Sequence, residues 1–208
     1  MSLFRTTLGN HVYEFKSLKH VMACATPLRS GDGLAGIAAQ SDVERVAAQY
    51  VLSDLPLTIF LEDPLIPYEE DEVTRLIFDQ HDHEAFKTIS HLTVGEFRNW
   101  LLSDQTTTDI LSKVAPAITP EIAAAVSKIM RNRDLIAVTR KIRVKTAFRS
   151  TLGLEGRLSS RLQPNHPTDD LAGIAASTLD GLMYGVGDAV IGINPATDNI
   201  QGASALLK

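Results

Sequence analysis

Between Gly156 and Asn199 the chain reads GRLSSRLQPNHPTDDLAGIAASTLDGLMYGVGDAVIGINPATDN, and few folds accommodate that order. Side chains alternate along a strand, so in Arg157–Gln163 the residues Ser159, Arg161 and Gln163 share one face and Leu158 and Leu162 the other. Pro164 cannot donate to a ladder and ends the strand. After Asn165-His166-Pro167, Thr168 stands where a helix N-cap belongs, with Asp169 and Asp170 in a first turn that favours acids. Leu171, Ile174, Ala175, Thr178, Leu182 and Met183 recur at helical spacing, and Gly185 and Gly187 can close that helix. Ala189 to Ile193 is a short apolar run, expected to be a strand buried on both faces, and it stops at Asn194-Pro195.

The stretch repeats itself. Thr168 and Thr197 stand 29 residues apart, as do Asp169 and Asp198, Leu171 and Ile200, and Gly173 and Gly202. Strand, loop and capped helix form the unit of a β/α fold. In such folds the site lies where parallel strands end, which here assembles Arg161, Gln163 and Asn194. An inward-facing arginine is costly unless it meets a counter-ion, water or ligand; a structural ion pair to an acidic side chain is the plain alternative.

With 208 residues, 44% of them hydrophobic, the chain has material for one or two domains. A net charge of -5 and the lack of a basic stripe argue against a nucleic-acid surface. The densest basic run, Arg140 to Lys145 with Arg149 beyond, reads as a solvated or interface strand. No apolar run is long enough for a membrane helix, and Met1 to Arg5 lacks a signal-peptide core. Cys24 is the one cysteine and reads as a buried structural thiol.

The front of the chain reads as helical. Gly9-Asn10 marks a hairpin between Leu3 and Phe15, and Ser17 to Thr26 a helix ended by Pro27. Gly31, Gly33 and Gly36 lie in a glycine-rich turn that follows a helix rather than a strand, so it fits a connection better than a phosphate cradle. Capping boxes open helices at Ser41-Asp42-Val43-Glu44 and Thr93-Val94-Gly95-Glu96, and Thr119-Pro120 opens another. Val43, Val46, Ala47, Tyr50 and Val51 form one apolar stripe; Val73, Leu76 and Ile77 form another. The carboxylates Glu69, Glu70, Asp71 and Glu72 read as a helix start, and His81-Asp82-His83-Glu84 as a solvated connector, since adjacent residues diverge; no metal site is expected. The expectation is an α/β protein: a mainly helical domain over residues 1–113, then over 114–208 the start of a β/α barrel with strands at about 157–163 and 189–194.

Several phrases resemble the large subunit of the ethanolamine ammonia-lyases. They are Arg29-Ser30-Gly31-Asp32 with Leu34-Ala35-Gly36, Glu44-Arg45-Val46-Ala47-Ala48, and Val73-Thr74-Arg75-Leu76-Ile77. Ser159 to Asn165, Gly185 to Gly192 and Asn194-Pro195 complete them, in family order over essentially the whole chain. The resemblance implies a (β/α)8 TIM-type barrel, incomplete here, and the adenosylcobalamin-dependent radical deamination of ethanolamine to acetaldehyde and ammonia. It implies substrate contacts at Arg161, Gln163 and Asn194 and a cobalamin contact at Pro195. It further implies a hetero-oligomer with a small subunit and other large subunits, in the bacterial cytoplasm or within a microcompartment. The family's acidic substrate-binding residues fall on strands beyond Lys208. The expectation is therefore the front part of a longer catalytic subunit, inactive alone and not holding adenosylcobalamin without the small subunit. Two competing expectations are a non-catalytic assembly module and another barrel lyase or isomerase using the same strand ends.

Overall fold

In the computed structural model the structure describes residues 4–147, 151–154, 156–187 and 190–208. Contacts group the chain into two units, Met1–Arg143 and Val144–Lys208. The division falls later in the chain than the expected Lys113–Pro116 boundary. The helices between residues 116 and 143 pack with earlier helices of the same unit.

The first unit opens with a hairpin. β1 (Arg5–Leu8) and β2 (His11–Glu14) are antiparallel, with Leu8 opposite His11 across Gly9-Asn10. Gly9 has φ 59°, which fits the first position of a two-residue hairpin turn. α1 (Leu18–Cys24) is capped by Ser17, whose hydroxyl accepts from the His20 amide. The glycine-rich segment forms a short exposed helix, α2 (Ser30–Leu34).

α3 (Asp42–Asp54) starts at Ser41, whose Oγ accepts from Glu44 N. The Glu44 carboxylate turns back to Gln40 N rather than closing the expected box on Ser41. The buried face of α3 also differs from expectation. Ala47, Ala48, Val51 and Leu52 are buried, whereas Val43, Val46 and Tyr50 are exposed. Two alanines let α1 and β1 approach closely, so small size outweighs the larger apolar gain of the valine side.

α4 (Ile59–Glu62) buries Ile59 and Phe60. α5 (Glu72–Asp79) is capped by Asp71, which accepts from the Thr74 amide at 2.7 Å and its hydroxyl at 2.9 Å. These bonds hold the Asp71 carboxyl below its ordinary pKa. Thr74 is buried, and Val73 and Leu76, expected inside, are exposed. α6 (His83–Phe86) follows His81, which is buried rather than solvated. His81 Nε2 lies 3.0 Å from the Ala117 carbonyl, which takes its N–H, and Nδ1 lies 3.3 Å from His83 Nδ1. Burial lowers the His81 pKa.

α7 (Val94–Leu102) carries the full Thr93–Glu96 capping box and buries Phe97 and Leu101. α8 (Thr108–Val114) runs into a 3-10 turn at Ala115–Ala117. α9 (Pro120–Lys128) has Thr119 as N-cap and Pro120 first, and buries Ile122, Ala125 and Val126. It packs on α3 and α7. α10 (Asn132–Thr139) is tied to α7 by Asp134, whose carboxylate accepts from Arg98 at 3.0 Å and from the Arg131 amide at 3.1 Å. Cys24 is buried, and burial raises its thiol pKa.

In the second unit β3 (Thr146–Ala147) and β4 (Thr151–Leu152) form a short antiparallel pair, and Arg149 lies outside the described residues. β5 (Arg161–Leu162), α11 (Leu171–Met183), β6 (Val190–Ile191) and α12 (Ile200–Leu206) follow. β5 and β6 pair in parallel. The mixed α/β class thus holds, with three two-stranded sheets among the described residues. The ladder is shorter than the expected strands 157–163 and 189–194, and Ala189 lies outside the described residues. Val190 and Ile191 are 48% and 41% exposed rather than buried on both faces, because β5 alone pairs with β6 among the described residues. No helix among those residues is long and apolar enough to cross a membrane.

Phe97 is fully buried at the centre of the first unit. Phe97→Ala should lower the free energy of urea unfolding by about 3–5 kcal/mol, through lost transfer energy and the residual cavity. A loss below about 1 kcal/mol would mean that this helix does not supply the core.

Candidate functional site at the strand ends

β5 ends because Pro164 follows Gln163; Pro164 is itself buried. The register places Arg161 opposite Val190 and Leu162 opposite Ile191, and Gly192 N donates to Leu162 O at 2.9 Å. Parallel pairing makes both strands deliver their following residues to one end of the sheet. Gln163 and Asn194 therefore leave the sheet on the same side, and both are exposed. Arg161 is also exposed.

Arg161 lies across the neighbouring strand. A methyl group added at Gly192 would stand 2.6 Å from Arg161 Nη2, 3.0 Å from Nε and 3.1 Å from Cζ. The bare backbone at Gly192 leaves room for the guanidinium beside this strand. Arg161 opens the ladder opposite Val190, and its guanidinium lies beside Gly192, two residues before Asn194. Pro195 follows, exposed, at the rim of an open concavity of about 400 Å³ that continues through Ala196 to Asn199 and reaches Ile200 and Ala203.

The two helices behind these loops keep the 29-residue repeat in a shifted phase. The N-caps are Asp170 and Asn199 rather than Thr168 and Thr197, and the first helical residues are Leu171 and Ile200. Asp170 accepts from Gly173 N at 2.7 Å, and Asn199 accepts from Gly202 N at 3.3 Å. At the far end of α11 the Gly185 amide donates to Leu182 O and the Val186 amide to Gly181 O, the paired bonds of a Schellman turn. Gly181 in turn meets the Leu162 side chain, which sets α11 close against β5.

Sequence reasoning missed two residues of this end. Asp169 is the one non-glycine residue with positive φ among those described, at 54°. Its carboxylate accepts from Ala196 N at 2.6 Å, Thr197 N at 2.9 Å and Thr197 Oγ1 at 2.6 Å. These bonds hold the Asp169 carboxyl below its ordinary pKa, with the Ala196 amide the largest contributor. His166 braces the same turn, its Nδ1 lying 3.1 Å from Thr168 Oγ1 and 3.4 Å from the amides of Thr168 and Asp170. The available signal was the Asp169-Asp170 doublet, which only the phase of the repeat separates into a cap and a cross-loop acceptor. Among the described residues no three metal-ligating side chains converge.

The family model described as ethanolamine ammonia lyase large subunit (EutB) matches residues 13–208. The ethanolamine ammonia-lyase large subunit of Escherichia coli (strain K12) is 46% identical over 203 residues, covering 98% of this chain and 45% of the relative. That of Salmonella typhimurium is 45% identical over 203 residues, with the same coverage. The chain thus spans a little under half the length of the curated relatives it matches.

Gly192 has no backbone demand for glycine, so Gly192→Ala tests the Arg161 placement directly. The expected result is a change in stability within about 0.5 kcal/mol with a displaced Arg161 Nε–H resonance in nitrogen-resolved NMR spectra. An unmoved resonance would show that the guanidinium does not lie over this strand.

Proposed function

Because the chain belongs to the ethanolamine ammonia-lyase large-subunit family, we propose that it carries part of the substrate site of a carbon–nitrogen lyase that converts ethanolamine to acetaldehyde and ammonia. The observation that supports this reading is the parallel pairing of Arg161 and Leu162 with Val190 and Ile191, since Gln163 follows the one strand and Asn194 the other. In this proposal β5, α11, β6 and α12 are the opening units of a TIM-type barrel whose later strands supply the rest of the site.

Ethanolamine is a small cation with a hydroxyl group. Arg161 is suited to the oxygen, because its fixed fork of donors stabilises negative charge that develops there as the nitrogen leaves its carbon. Gln163 and Asn194 each carry an acceptor and donors, so they orient hydroxyl and amine together. Arg161 repels the ammonium end. That repulsion calls for carboxylates on other strands, and it fixes the direction in which the substrate lies.

Adenosylcobalamin, when bound, supplies the radical chemistry that no side chain here provides. Exposed Pro195 and Ala196 offer an apolar rim suited to one edge of a macrocycle. That edge fits such a group but does not enclose it, in keeping with a cofactor shared with a small subunit. Other large subunits complete the proposed hetero-oligomer.

The test uses the complete large subunit with its small subunit, adenosylcobalamin and ethanolamine. Arg161→Ala should lower kcat by roughly 100- to 1000-fold, the scale of losing one charge-stabilising donor, with subunit assembly unchanged by size-exclusion chromatography. Full turnover in that variant would contradict the substrate role and favour a purely assembling module.

A further inference from the structure

We infer that Asp169 is a positioning residue: its carboxylate ties the loop after the first parallel strand to the loop after the second, and so sets where Asn194 and Pro195 stand. The inference rests on the substrate and cofactor reading above for what those two residues do. The tie itself rests on geometry alone.

A parallel pair fixes neighbouring strands only as far as its ladder runs. Here the ladder ends with Gly192 N on Leu162 O, two residues before Asn194. The next fixed points on the second loop are Ala196 and Thr197, both held by one carboxylate from the first loop. Asn194 and Pro195 are thus strung between two anchors, the ladder on one side and Asp169 on the other. Among the hydrogen bonds described for the loop that leaves β6, these are the ones that reach the loop leaving β5.

The backbone is bent to make this possible. A left-handed conformation is uncommon outside glycine, and Asp and Asn are among the side chains that tolerate it. At φ 54° Asp169 departs from the course of the chain entering α11, while its neighbour Asp170 remains to cap that helix. The doublet divides the work: Asp170 serves the helix and Asp169 the next loop. Three donors converge on two oxygens, Ala196 N on Oδ1 and both Thr197 groups on Oδ2. Only a carboxylate accepts on both atoms. An amide at this position retains one acceptor and loses either the Ala196 bond or the Thr197 pair. The other titratable groups at this turn are His166, whose Nδ1 gathers the Thr168 and Asp170 donors, the Asp170 carboxylate that caps α11, and Asp198 next to Thr197 in the second loop.

The complete large subunit with its small subunit is the test material, as wild type, Asp169→Asn and Thr197→Val. Asn keeps the left-handed backbone, and Thr197→Val leaves Asp169 in place, so a folding failure in one variant still leaves the other. In Asp169→Asn the Ala196 and Thr197 amides should exchange about 10- to 100-fold faster, the equivalent of hydrogen bonds to a charged acceptor, with the melting temperature nearly unchanged. Thr197→Val should show a smaller loss. Because the Asp169 pKa is depressed in the folded state, wild-type protection at these amides should persist below the ordinary carboxylate range. It should vanish only as pH falls through the lowered value, a step that Asp169→Asn lacks. Michaelis constants for ethanolamine and the dissociation constant for cyanocobalamin should rise about tenfold in Asp169→Asn, with kcat less affected.

Unchanged exchange at Ala196 and Thr197 would overturn the tie. Faster exchange with unaltered Michaelis constant and cyanocobalamin affinity would overturn the positioning role. A wild type that never turns over ethanolamine would overturn the functional reading instead, and amide exchange would still decide whether the tie exists.

Discussion

The strand pairing of Arg161 with Val190 and Leu162 with Ile191 is the constraint on which the candidate site depends. Parallel direction is its essential property. Antiparallel strands at these positions would send Gln163 and Asn194 to opposite ends of the sheet, and no loop adjustment would reunite them. The requirement extends into packing. A parallel pair needs a crossover, and α11 supplies it, held against Leu162 at Gly181 and closed by the turn at Gly185. The absence of a side chain at Gly192 then gives Arg161 room to lie across the second strand.

The two units are stabilised differently. The first has a continuous apolar core running from Phe15 to Val138 through Phe60, Phe97 and Ile122. The second, among the described residues, buries Ile174 and Pro164 and leaves Leu158, Leu171, Leu179 and Met183 exposed. Local polar bonds therefore carry much of its organisation: Asp170 and Asn199 at the helix starts, Asp169 between loops, and Ser160 Oγ accepting from Gly187 N at 3.2 Å. Such bonds contribute about 0.5–1.5 kcal/mol each with a neutral acceptor and about 1.5–3 kcal/mol with a carboxylate, and each acts by fixing a local geometry.

What could be read from the sequence follows from how local the physics is. Thr93 to Glu96, Thr119-Pro120 and the Gly9-Asn10 turn depend on residues within a few positions of each other, and each forms as its residue types require. The strand, helix, strand order of the second unit was legible for the same reason, as was the mixed α/β class. The buried sides of α3 and α5 were not. Val43 and Val46 against Ala47 and Ala48 present two apolar faces, and the choice between them is made by partners far along the chain. Thr168 and Thr197 carry a plausible cap signal, but the competing Asp170 and Asn199 accept the bonds. Asp169 was invisible because its three donors lie in another loop, 27 and 28 positions on.

The central claim is that Arg161 and Asn194 face one small substrate from adjacent parallel strands. A crystal structure of the complete large subunit with its small subunit and bound ethanolamine tests it most directly. The account predicts an Arg161 guanidinium nitrogen and the Asn194 side-chain amide both within about 3 Å of the same ethanolamine molecule. Ethanolamine bound elsewhere, with Arg161 turned to solvent or to a structural carboxylate, would contradict it.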